Sequence, residues 1–219
     1  MHLLHPVTAP RERPILFSAP MVRALLAGTK TQTRRVVKGA PEDWSPVQPQ
    51  VYAPTIVDRH GDEQPGPDAF GAGDEQGDHW IRCPYGQPGD RLYVRETWAA
   101  PHAYDHLPPR LIPTDARIHY AATEDRGGLL WRPSIHMPRW ASRITLEVTG
   151  VKVERLQNIS EADAIAEGTP GGHGAIPGYS YNATPTEHYK WLWESINGPG
   201  SWDANPHVWC VSFKRLGAA

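Results

Sequence analysis

The sequence predicts an α+β domain built around a small closed β-sheet, and three observations carry that expectation. Its 219 residues include 23 Pro, 20 Gly and 9 Trp with only 39% hydrophobic residues, a loop-rich and aromatic-rich composition unlike that of a helical bundle. Its periodic segments are mostly short and alternate with period two, so they read as strands. Only three segments carry helix start and stop signals. The length suits one domain, 1–219, with long loop insertions.

Ser18 is placed to cap a helix over 19–27. Pro20 suits its first turn, Met21, Val22, Leu25 and Leu26 form an apolar stripe, and Gly28 can end it in a left-handed conformation. Thr31–Val37 follows as a β-prone run. Arg91–Trp98 places Leu92 and Val94 on one face with Arg91, Tyr93 and Arg95 on the other, and Arg117–Ala122 adds a further strand. The long Ser142–Leu156 run alternates Ile144, Leu146 and Val148 inward, with Gly150 marking a bend or bulge. Ser160 and Gly168 bracket a two-turn helix. Thr184-Pro185-Thr186-Glu187 is a capping box opening a helix on which Tyr189, Leu192, Trp193 and Ile196 recur at helical spacing. His207–Lys214 closes the chain as a strand buried on at least one side.

Three irregular stretches interrupt these elements, at 39–80, 101–116 and 168–183. The first holds six Pro, six Gly and nine acids against one Arg, with no sustained periodicity, and is expected to be an insertion that is partly disordered or acts as a lid. Residues 1–38 hold seven Lys/Arg against one acid, which suits a nucleic-acid partner locally although the formal net charge is −2. No run of 18 apolar residues and no signal-peptide pattern is present, so a soluble, cytoplasmic chain without membrane contact is expected. The two cysteines, Cys83 and Cys210, suit a reduced compartment.

No HExxH, CxxC, GxGxxG, P-loop or GxSxG motif occurs, so neither a metal nor an organic cofactor is expected. The pointed segment is Ala27-Gly28-Thr29-Lys30-Thr31-Gln32-Thr33-Arg34-Arg35. A desolvated Lys can have its pKa lowered toward neutrality and take a proton from a neighbouring Thr hydroxyl. A Thr/Arg-rich strand can equally be a solvated sheet face. The stretch Trp131–Trp140 gathers Trp, Arg and His between two prolines, suited to stacking a base and gripping phosphate, or to forming a rigid loop ahead of the long strand.

Gly28 to Arg35 resembles the GxKxxxxR signature that follows the first helix in ASCH domains, a branch of the PUA-like β-barrel superfamily. Pro88–Val94, Ile144–Thr149, Ile159–Glu167 and Val208–Lys214 resemble further elements of that family in its order, and the whole is similar to phage and prophage ASCH-domain proteins with long insertions. The resemblance covers about half the chain and implies a PUA-like barrel. Its small N4-acetylcytidine amidohydrolases use a Lys and a Thr three residues apart plus a Glu in the helix after the central strand, and Lys30, Thr33 and Glu167 fall on those positions. It thus implies amide hydrolysis on an N-acylated base or nucleoside; the acidic insertion lies outside the resemblance and is expected on its own account to shield the cleft. Lys30 would be the base, Thr33 the nucleophile, and Glu167 the group that orients Lys30 or shuttles the proton to the leaving amine. Two alternatives stay open. One is a binding module for RNA or modified bases, with Arg35 and Arg143 meeting phosphate, Trp98 or Trp140 stacking, and Arg34 and His136 as further binding residues. The other is a ribonuclease. The oligomeric state is not legible.

Overall fold

The computed structural model describes residues 9–217 apart from Asp78 and Arg126. The central sheet has five strands: β1 (Glu12–Leu16), β2 (Gln32–Val36), β3 (Arg91–Arg95), β4 (Thr145–Arg155) and β5 (His207–Arg215). Three α-helices accompany them: α1 (Ala19–Leu26), α2 (Glu161–Ala166) and α3 (Pro185–Asn197). The strand order is β1-β3-β4-β5-β2, parallel between β1 and β3 and antiparallel elsewhere. The protein is therefore of mixed α+β class with mostly strands.

The expected closed barrel is not found: among the described residues no ladder joins β1 to β2, which stand at the two ends of the order. One side-chain bridge spans those ends, from the Arg35 guanidinium to the Leu16 carbonyl at 3.0 Å. Gly150 does mark an irregularity, since the β4–β5 register shifts between Val148 and Gly150.

The last strand is central, with β4 on one side and β2 on the other, and both of its faces are covered. Trp209, Val211 and Phe213 pack with Ile15, Phe17, Val22, Leu25, Leu92, Leu146 and Val148 beneath α1. Val208 and Cys210 pack on the opposite face against Leu156, Ala164, Tyr189 and Trp193 of the α2–α3 side. Both latter helices start as their sequences dictate. Ser160 with Asp163, and Thr184 with Glu187, form reciprocal capping boxes, and Gly168 at φ +91° ends the α2 turn.

Two sequence expectations need correction. Residues 39–80 are not structureless: Gln50–Tyr52, Ala69–Gly73 and Trp80–Arg82 form a three-stranded antiparallel sheet, and Thr55–Val57 pairs with Glu63–Pro65. These strands are three to five residues long and show little alternation, so they carry no period for a sequence reading to detect. Trp44 and Ala72 of the same segment belong to the main core, with Trp44 set edge-on against His207 at 5.3 Å. The second correction is Arg117–Ala122, where only His119–Tyr120 pairs, with Trp98–Ala99. That small ladder heads a satellite cluster of Trp98, Ala100, Ile112, Met137 and Ala141. Among the described residues no helix is long and apolar enough to cross a membrane.

Candidate active site

Registered antiparallel partners share a face of the sheet. Gln32 and Arg34, opposite Ser212 and Cys210, therefore face α2 and α3, while Thr33 and Arg35, opposite Val211 and Trp209, face α1 and Phe17. Lys30 sits just before β2, where the chain is anchored by Lys30 N–H donating to the Ala24 carbonyl and Thr31 N–H to that of Ala166. This second bond brings the end of α2, and with it Glu167, beside the start of β2.

The resulting site is buried and charged. Lys30 Nζ donates to Glu167 Oε2 at 2.8 Å and to the Glu167 backbone carbonyl at 2.7 Å, and neither side chain exceeds 3% exposure. An ammonium has three N–H donors. The third has no hydrogen-bond acceptor among the described residues, and Nζ lies 5.5 Å from the centre of the Phe17 ring. Burial pushes Lys30 below the ordinary lysine pKa, with the Glu167 carboxylate pulling the other way.

Arg34 extends the network on the same side. Its guanidinium, 1% exposed, meets Gln32 Oε1 at 2.5 Å, Glu154 Oε1 at 2.7 Å, Asp163 Oδ2 at 3.1 Å and Glu167 Oε1 at 3.4 Å. Burial works against its charge, and its partners, Cys210 and Glu154 foremost, outweigh burial and hold its pKa above the ordinary value. Lys152 closes the network at 3.0 Å from Glu154 and 3.6 Å from Asp163. Fully buried charges persist only when paired and hydrogen-bonded in this way.

On the other face, the Thr33 hydroxyl is fully buried and accepts from Arg35 Nη1 at 2.7 Å. Arg35 also bonds the Arg34 and Leu16 carbonyls and lies 5.2 Å from the Phe17 ring. Phe17 is thus the common neighbour of Lys30 and of the arginine that holds Thr33. No hydrogen bond joins Lys30 to Thr33 directly. A cavity of about 260 Å³ opens against this cluster. Its walls combine Arg34, Arg35 and Glu167 with an apolar side that includes Met21, Tyr189 and Leu192. None of its lining residues comes from 39–80, so the acidic insertion does not shield it.

The structure therefore brings Glu167, Arg34 and Arg35 to one cavity, with Lys30 buried behind Glu167 and Thr33 behind Arg35, and leaves the other sequence candidates elsewhere. Trp98 is fully buried in the satellite cluster, edge-on to Trp140 at 6.5 Å, and offers no free face for a base. Arg143 is held by both carboxylate oxygens of Glu96, at 2.9 and 3.1 Å, and lies 3.9 Å from the Tyr120 ring centre. His136 is exposed in a 3₁₀ turn, Ser134–His136. The Trp131–Trp140 stretch is thus a rigid loop whose Arg132 bonds the Tyr104, Asp105 and Leu107 carbonyls.

Sequence reading misses Phe17, Gln32, Glu154, Asp163 and Tyr189. Phe17 has a signal of its own, a hydrophobic residue immediately before the helix cap Ser18, the staple position. Among the described residues no group of three or more His, Cys, Asp or Glu side chains is placed to hold a metal ion. Comparison with family models, with curated proteins and with solved structures finds no match to this chain.

Proposed function

We propose that the protein is an ASCH-type member of the PUA-like superfamily and that it hydrolyses the amide of an N-acylated nucleobase or nucleoside, N4-acetylcytidine being the type substrate. The observation that carries this reading is the 2.8 Å pairing of Lys30 with Glu167, 137 positions apart, in a nearly sealed pocket at the edge of a cavity. The resemblance requires that meeting; a solvated strand face would have no use for it. The barrel of that family remains part of the proposal, supported by the Arg35 bridge to Leu16 across the two end strands.

The chemistry needs Lys30 neutral, and burial acts in that direction. Thr33 Oγ attacks the acyl carbonyl carbon as its proton passes to Lys30 Nζ. Collapse of the tetrahedral intermediate breaks the C–N bond, and the Lys30 proton goes to the departing amine. Water then hydrolyses the acyl-Thr33 ester, releasing the carboxylic acid. Glu167 orients the amine of Lys30 throughout. A cavity of about 260 Å³ lies at the lower edge of the roughly 300–1,000 Å³ usual for small-molecule sites, which favours a single base or nucleoside over a strand of RNA.

One observation favours a second reading, a reader of modified bases without turnover: the Thr33 hydroxyl is engaged by Arg35 and not by Lys30. Liquid chromatography of purified protein with N4-acetylcytidine separates the two. Deacetylation by the wild type, lost by on the order of 10² or more in both Lys30→Arg and Thr33→Val, is the expected result, because a guanidinium cannot act as the base. Absence of turnover with saturable binding of the same nucleoside would leave the reader in its place.

A further inference from the structure

A second cavity, of about 270 Å³, lies at the other end of β1, where the three-stranded sheet of the insertion meets the turn Gly86–Asp90. It takes no part in the hydrolase reading, and of its lining residues only Asp90 lies in a segment that carries the resemblance to known domains. Three guanidiniums line it, from Arg11, Arg13 and Arg82. Among the described residues, the side chains of Arg11 and Arg82 make no hydrogen bond or ion pair and are exposed. Arg13 has a single distant contact, 3.9 Å to Asp90 Oδ2, while its Nε is buried without a partner.

Two carboxylates share the lining, and they are unequal. Asp90 is 6% exposed and committed to the backbone: Oδ1 accepts from Arg11 N–H at 2.9 Å and Oδ2 from Gln87 N–H at 3.2 Å. Gly86, at φ +86°, is what lets the turn close over it, because a Cβ there would stand 2.4 Å from Asp90 Oδ2 and 3.1 Å from Arg13 Nε. Asp68 is exposed and makes no bond among the described residues. The remaining wall is apolar, with Phe70, Ala69, Val51 and Cys83.

Three cations converging on one concavity, with a lone uncommitted carboxylate opposite them, repel one another unless an anion sits between them. A guanidinium presents paired N–H donors that match a phosphate in two-point contact. We propose that this cavity is a binding site for a small organic phosphate monoester, its phosphate held by Arg11, Arg13 and Arg82 and its organic part against Phe70 and Val51. The insertion thereby acquires a role that a lid would not give it, since Arg82 ends the last strand of its sheet and Phe70 and Asp68 lie within the insertion.

Calorimetric titration of the full chain with ribose 5-phosphate, cytidine 5′-monophosphate, inorganic phosphate and ribose tests this. Both esters should bind, inorganic phosphate more weakly and ribose not at all. Equal affinities for the two esters place recognition on the phosphate and sugar, and tighter binding of the nucleotide adds the base to the apolar wall. Arg11→Gln with Arg82→Gln should weaken ribose 5-phosphate on the order of tenfold per guanidinium removed, with an unchanged melting temperature because both side chains are exposed. Asp68→Asn should tighten it, the opposite sign to that expected at a cation site. Failure of both esters to bind, undiminished affinity in the Arg11/Arg82 double variant, or weaker binding in Asp68→Asn would overturn the proposal. Lys30→Arg and Thr33→Val should leave the ribose 5-phosphate titration unchanged, so that outcome is independent of the hydrolase reading.

Discussion

Glu167→Gln isolates what the buried network contributes. In the native protein the Lys30 ammonium has no exposure and one carboxylate within 2.8 Å. At an effective dielectric constant of about 20, the gross attraction at that distance is about 6 kcal/mol, and desolvation offsets part of it. Removing one partner of such a pair strands the other charge and costs about 3–5 kcal/mol. For a chain of this size each kcal/mol lowers the melting temperature by about 2–4 °C, so the expected fall is roughly 6–20 °C. Lys30 keeps the Glu167 backbone carbonyl at 2.7 Å, and Arg34 keeps Glu154 and Asp163, so the fold itself should survive. Lys30→Met combined with Glu167→Gln removes the stranded charge and should melt above Glu167→Gln alone. The pH dependence has a definite sign. Without Glu167, burial acts on Lys30 unopposed and lowers its pKa further, so the native state binds fewer protons than the unfolded state. Stability of Glu167→Gln should then rise with pH from that lowered value up to the ordinary 10.5. Differential scanning calorimetry of wild type, single and double variants between pH 6 and 10 reads all three quantities. A single variant that melts within about 2 °C of wild type, with no added slope in pH, would refute the view that Lys30 and Glu167 form a tightly coupled buried pair.

Further outcomes follow from other parts of the structure. Trp44→Ala empties a site in the main core that is 4% exposed and should cost about 3–5 kcal/mol; replacing residues 39–80 by a Gly/Ser linker should lower the melting temperature at least as much, and an unchanged value would show that the insertion is no part of the core. Burial pushes the Cys83 thiol up to about 11 and raises that of Cys210 as well, so Ellman's reagent at pH 8 should titrate neither in the folded protein and both in denaturant; fast reaction of either in the native state contradicts their burial. Burial, opposed by Arg143, raises the Glu96 carboxyl, so the folded state holds that proton more firmly. The contribution of Glu96 to stability should fall as pH climbs from 4.5 through the raised value, and Glu96→Gln should flatten acid melting curves, identical slopes being the contrary result.

Local chemistry made much of this fold legible. The Ser160 and Thr184 caps, the left-handed Gly168 and the two-sided burial of the strand from His207 follow from residues adjacent in sequence. Lys30 and Glu167 were foreseen to meet only through the resemblance, since nothing local links positions 137 apart. Arg34 reads from the sequence as a substrate or nucleic-acid contact, yet its partners Glu154 and Asp163 come from β4 and α2, and a strand arginine facing helices cannot be told from one facing water without the register. Trp98 erred in the same way. Its aromatic surface suggested a stacking platform, while its place beside Met137 and Ile112 is set by a long loop with no period to read.

The position of β5 between β4 and β2 has a consequence for how the protein comes into being. Among the described residues β2 pairs with β5 alone, so the strand carrying Thr33, Arg34 and Arg35 has no neighbouring strand there until residues 207–215 exist. A nascent chain leaving the ribosome has made Lys30 early and Glu167 late, and still lacks the strand that holds their surroundings together. Contacts of such long sequence separation are slow to form, because the loop must close before any of them is rewarded. The charged side chains of β2 therefore spend translation in water, and their burial is one of the last events of folding. A chain ending before residue 207 would lose the interior strand that joins β2 to the rest of the sheet, not an appendage, and with it the site.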